Sequence, residues 1–185
     1  MKLNAIADIN SGVYSNTITN GDVYYFQARD FDENRQLVNN LTPTLNFSEN
    51  LKKHFLQIGD ILIVAKGASF LSAVYDGTYA PAVASTVFLV IKIRTKKEVL
   101  PAFVSWYLNL PSTQSELMNE AKGTSVHSIN KSVLQNLEIP LPTKAKQEKL
   151  LQIIELRNHE RQIEKRIEIL KEKKMSQLIT NAINN

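Results

Sequence analysis

The chain has no cysteine. That excludes a disulfide framework and any zinc site built on thiolates, and it suits a reducing, cytoplasmic setting. Only three histidines are present, His54, His127 and His159. They are too far apart for metal-ligand spacing, so no metal is expected and each reads as a surface residue. No apolar run approaches the roughly 18 residues that span a bilayer, and the opening MKLNAIADIN is too short and polar for a signal peptide, so no membrane partner is expected. The six glycines are scattered and form neither a dinucleotide-binding fingerprint nor a Walker loop. No two of the six prolines adjoin, which removes the Asn/Asp-Pro-Pro-aromatic motif of an amino-methyltransferase. Asp60 and Lys66 suggest part of a nuclease metal site, but Val64 stands where the second carboxylate is needed. The expectation is a chain without catalytic residues, cofactor or enzymatic activity of its own.

What is present fits a folded protein of one domain with an appendage. Of 185 residues, 43% are hydrophobic and 22% charged. The net charge of +4 is unevenly placed: residues 1–142 carry 12 basic and 12 acidic side chains, whereas residues 143–185 carry 10 and 6. Net charge alone is therefore a weak pointer to nucleic acid, since the basic excess sits on the C-terminal segment.

Residues 3–10 read as a short helix or strand running into a turn at Ser11-Gly12. Val23–Phe26 reads as a strand, and the polar stretch 28–53 as loops. Ile61–Ala65 is apolar throughout and ends at Lys66-Gly67, the pattern of a buried strand and turn. Ala73–Tyr75 and Ala84–Ile93 are expected to be strands. Pro101 and Pro111 each fit the first turn of a helix, with Trp106 reading as core. The segment Ile139-Pro140-Leu141-Pro142 then breaks regular structure. Residues 1–142 thus predict an α+β domain.

Residues 143–185 contain no Gly or Pro and are rich in Lys, Glu, Gln, Ile and Leu. Thr143 is a fitting N-cap. A heptad seam passes through Ile153, Leu156, Ile163, Ile167 and Leu170, interrupted at Glu160 and Lys174, as expected for an antiparallel or short coiled coil. Such a helix, about 60 Å long at 1.5 Å per residue, needs a partner for its apolar stripe.

Two polar, donor-rich loops stand out: Lys66-Gly67, and Lys122 to Lys131 with Thr124, Ser125, His127, Ser128 and Asn130. Their ammonium, hydroxyl and amide groups suit phosphates, and Asn suits an adenine edge. Ordinary turns with capping side chains explain them equally well. Arg29, Arg35, Lys52 and Lys53 lie in polar segments and are either groove contacts or solvated surface.

Several segments, in order, resemble the specificity subunit of Type I restriction–modification systems. They are Leu3–Gly12 ending in Ser-Gly, Tyr25–Asp30, the Gly59-Asp60-Ile61-Leu62 strand with its Lys66-Gly67 turn, and the helix bearing Tyr107-Leu108. Gly123-Thr124-Ser125 with Ile129-Asn130, and Leu137–Pro142 followed by Gln147 in a charged helix, complete the likeness. This chain differs in offering one recognition domain and one helix where the family usually has two of each, and its helix begins Thr143-Lys144-Ala145-Lys146-Gln147 in place of Pro-Pro and Glu-Gln. The resemblance implies a half-length subunit with a DNA target recognition domain at 1–142 and a spacer and dimerisation helix at 143–185. It further implies that the chain reads a split duplex target as a homodimer and directs methyltransferase and restriction subunits, to which S-adenosylmethionine and ATP would belong. A helix-assembled adaptor protein and a fragment of a fused restriction–methyltransferase enzyme stay open as alternatives.

Overall fold

The computed structural model describes residues 1–31, 40–95, 97–122 and 126–183. Arg35, Thr124 and Ser125 lie outside the described residues. The chain divides into two units, Met1–Lys144 and Ala145–Asn185.

The first unit is α+β. Its strands are β1 (Ala7–Ser11), β2 (Tyr24–Phe26), β3 (Ile61–Val64), β4 (Ser72–Val74), β5 (Ala82–Ala84) and β6 (Phe88–Ile93). Its helices are the single-turn α1 (Glu49–Lys52), α2 (Pro101–Leu108), α3 (Pro111–Glu120) and α4 (Lys131–Asn136), and α5 (Lys144–Ile183) follows. A four-stranded antiparallel sheet has the order β1-β6-β3-β4, and β2 pairs parallel with β5 in a separate two-stranded sheet.

The apolar runs sit where both faces of the sheet are covered. β3 and β6 are the two central strands, with Ile61 opposite Ile91 and Ile63 opposite Leu89. Successive side chains of a strand point to opposite faces, so Phe88, Val90 and Lys92 share one face of β6. Phe88 and Val90 pack there with Phe26, Leu56, Leu62, Tyr75, Ala82 and Ala84, which joins the two sheets through one core. The outer edge of β4 is closed by side-chain amides: Asn109 bonds both the N–H and the C=O of Ser72 (2.9 and 2.8 Å), and Gln114 does the same for Phe70 (3.0 and 2.9 Å). This satisfies backbone groups that would otherwise invite pairing with another chain.

Ala84–Ile93 is not one strand as its composition suggests. β5 ends at Ala84 in the small sheet and β6 begins at Phe88 in the large one, with a turn closed by Phe88 N–H on Ser85 O at 2.9 Å. The break follows from long-range pairing: Ser85 N–H is held by Phe26 O at 2.9 Å. Gly12 lies so close that a Cβ there would sit 2.0 Å from the Ser85 carbonyl oxygen, which explains the glycine. The segment 3–10, read as helix or strand, is both, a 3-10 turn at Leu3–Ala5 followed by β1. Pro101 and Pro111 do open α2 and α3.

The first residues are stitched to the end of the domain. Leu3 N–H donates to Leu137 O (2.9 Å), Ile139 N–H to Met1 O (2.8 Å) and the N-terminal ammonium to Ile139 O (3.0 Å). Leu3 and Ile139 are fully buried.

The second unit is helical. Residues 155–183 are all exposed, including Leu156, Ile163, Ile167 and Leu170, as is Ile153. No described helix is long and apolar enough to cross a membrane.

Candidate nucleic-acid interface

The two donor-rich loops, far apart in sequence, meet through backbone hydrogen bonds. Where β3 ends, Ile129 N–H donates to Ala65 O at 3.0 Å and Gly67 N–H to His127 O at 3.0 Å, so Lys66 lies opposite Ser128. On its other side Ser128 pairs with Lys122 through Lys122 N–H to Ser128 O (3.0 Å) and Ser128 N–H to Lys122 O (2.9 Å). Both pairings are antiparallel. Opposed residues in such pairs project to the same face, so the Ser128 hydroxyl stands between two lysines whose Cα atoms are about 10 Å apart. Gly67 has φ +143°, a backbone conformation that disfavours any other residue. Lys66, Lys122 and His127 are exposed, and among the described residues neither lysine forms an ion pair.

Ala28 and Phe31, which flank Arg29, line an apolar cavity of about 230 Å³ together with Gly67, Ala68 and Ser69. The turn carrying Arg29 therefore borders the Lys66 turn. Arg29 itself is exposed and lies 3.9 Å from Asp30.

The remaining candidates separate into distinct roles. Asn130 is the N-cap of α4, its Oδ1 accepting from Val133 N–H at 3.1 Å. Lys52 pairs with Glu49 at 3.7 Å within α1. Lys53 and Lys131 line a concavity of about 420 Å³ that also contains Asn10, Ser11, His54 and Lys92. Burial, then the charges of Lys53 and Lys92, push the His54 pKa below its ordinary value. His54, expected at the surface, is half-buried, and Lys92 carries no signal in the sequence beyond being the one charge within the apolar run of β6. Trp106 is half-buried with its ring 5.6 Å from that of Phe103. Asp60 and Lys66 sit at opposite ends of β3, and Asp60 is buried against Lys92 (2.9 Å) and Gln57 N–H (2.9 Å). No group of three or more His, Cys, Asp or Glu among the described residues is placed to hold a metal ion.

Residues 1–173 match the family described as Type I restriction modification DNA specificity domain. The chain belongs to this family. No curated protein matches it. Among solved structures, it resembles the S subunit of a Type I restriction–modification system from M. genitalium, with TM-score 0.60 and 18% identity over 86% of this chain and 38% of that one. The HsdS subunit from Thermoanaerobacter tengcongensis gives TM-score 0.64 and 16% identity over 86% and 37%. A chain in a structure of the type I R-M system gives 0.63 and 19% over 96% and 42%. The chain thus spans about two-fifths of the length of these structures. At such identities the likeness shows a shared fold. The specificity-domain fold holds here with a sheet domain followed by a long helix.

Proposed function

We propose that this chain recognises a duplex DNA sequence as a non-catalytic, cytoplasmic specificity subunit of a Type I restriction–modification system, directing methyltransferase and restriction subunits to a split target. One observation carries the reading: Ser128 joins the Lys66 turn to Lys122, and the two exposed lysines form no ion pair among the described residues. Residues 1–142 are the target recognition domain in this reading. Lys66 and Lys122 contact phosphates, with Arg29, Lys52 and Lys53 beside the groove. His127, Asn130 and Lys131 complete the contact set in this reading, and by sequence Thr124 and Ser125 from the same stretch and Arg35 from the 28–53 stretch are assigned to it as well. Phosphate contacts set position and base-edge contacts set sequence. The test is enrichment from a random duplex pool. Selective enrichment supports the reading, and uniform recovery or none, with methyltransferase subunits present or absent, favours the adaptor alternative.

The helix 143–185 serves in this reading as spacer and homodimer interface. Charge and apolar pattern together favour one antiparallel register. In it Ile153 stacks on Leu170 of the second copy, Leu156 on Ile167 and Ile163 on Glu160, and Arg157 faces Glu164 across the flank. One heptad further along, Arg157 would face Lys171, and Glu164 and Arg166 would each face their own copies. Two copies related by a two-fold axis then present identical readers in inverted orientation, so the target is an interrupted palindrome.

A further inference from the structure

The concavity beside the loops gathers basic side chains from three separate parts of the fold. Lys53 and His54 follow α1, Lys92 projects from β6 and Lys131 opens α4. Among the described residues no carboxylate lines it. Asp60 lies behind Lys92 as a buried partner at 2.9 Å, and Lys92 Nζ also donates to Phe55 O at 3.3 Å, so its charge is already engaged. Lys53 and Lys131 form no ion pair among the described residues. Asn10 and Ser11 add polar groups to the wall. At about 420 Å³ the space is of ligand-site size. Like charges held together beside a partly buried imidazole are relieved by an anion, and the donors present are those that bind phosphate.

We propose that this concavity seats one phosphodiester of the DNA backbone, with Lys53 and Lys131 as its charge partners and His54 as a group that takes up a proton when the pocket fills. The proposal rests on the DNA-binding reading above. The charges facing His54 are Lys53 beside it, Lys92 with its partner Asp60, and Lys131 from α4. Asp8, opposite Lys92 on β1, is engaged by Arg94. Burial, then the charges of Lys53 and Lys92, lower the proton affinity of His54. A bound phosphate reverses that field and raises the proton affinity of the imidazole. By linkage, binding tightens as the pH falls through the His54 range and levels off below the midpoint of the free chain.

The experiment follows the His54 ring signals by NMR across pH in the full chain, alone, with inorganic phosphate and with a random-sequence duplex. The expected result is an upward displacement of the His54 midpoint by the duplex, lost in Lys53→Gln and Lys131→Gln. Each of these variants should lower the salt slope of duplex binding by about one unit. His54→Gln should keep the slope and remove the pH dependence. If the duplex binds while the midpoint and both slopes stay unchanged, the pocket assignment is overturned and the DNA-binding reading stands. If inorganic phosphate moves the midpoint but the duplex does not, the pocket takes free phosphate and the backbone assignment is overturned.

Discussion

Lys92 on β6 holds Asp60, the residue before β3, through an Nζ–Oδ2 contact of 2.9 Å to a carboxylate only 2% exposed. Removing one partner of such a pair strands a charge away from water, which costs about 3–5 kcal/mol when both groups are fully buried. Lys92 keeps partial exposure, so Lys92→Met is expected to cost less, near 2–3 kcal/mol. The midpoint of urea unfolding measures it. A change within the error of the wild-type curve would mean that water fully solvates Asp60 in the variant.

For the bridged loops, Lys66→Gln and Lys122→Gln should weaken binding to every duplex alike. Each should also flatten the dependence of log K on log salt by about one unit, because a released counterion is lost with each phosphate contact. Fluorescence anisotropy at several salt concentrations reads both effects. Wild-type slopes in both variants would place the DNA elsewhere on the domain.

Asn130 needs a pair of substitutions, because its Oδ1 caps α4. Asn130→Ala removes the cap at a cost of about 1 kcal/mol, so lost DNA binding in that variant is ambiguous. Asn130→Asp keeps a capping oxygen and removes the amide donor. If Asn130 reads a base edge, Asn130→Asp should keep the thermal midpoint near wild type while relaxing one position of the selected site, at about 1–3 kcal/mol. Unchanged selectivity would leave Asn130 as a cap alone.

In the helix, changing Ile163, Ile167 and Leu170 to Glu should give monomers, since each loses burial worth about 1.5–3 kcal/mol. The register makes a sharper claim. Arg157→Glu should weaken association by setting two acids face to face, and Arg157→Glu with Glu164→Arg should restore it. Sedimentation equilibrium distinguishes the species. A wild-type chain that stays monomeric at high concentration would rule out the dimer, and a double variant as weak as the single one would rule out the register.

The parts of the fold legible in the sequence were those fixed by local rules. The unbroken apolar run Ile61–Ala65 marked a central strand, Pro101 and Pro111 marked helix starts, and the Gly- and Pro-free tail marked α5. The continuous look of Ala84–Ile93 concealed a change of sheet, because a two-residue pattern cannot register that Ser85 is claimed by Phe26. The candidate site is legible in the sequence as two loops but not as one surface. That Lys66 and Lys122 flank Ser128 depends on pairings between distant segments, which composition does not encode. The place of Lys92 and the partial burial of His54 were hidden for the same reason: their neighbours come from other elements of the fold.

The bonds that tie Met1 and Leu3 to Leu137 and Ile139 are made by main-chain atoms and the terminal amine. Residues 1–3 and 137–139 therefore share one place on the domain, held by contacts that do not ask which side chains are present. Side-chain substitution at these positions leaves the closing donors and acceptors in place. The closure of the domain is thus insensitive to sequence in a way that a closure built from side chains would not be, because every residue type except proline offers the same N–H and C=O.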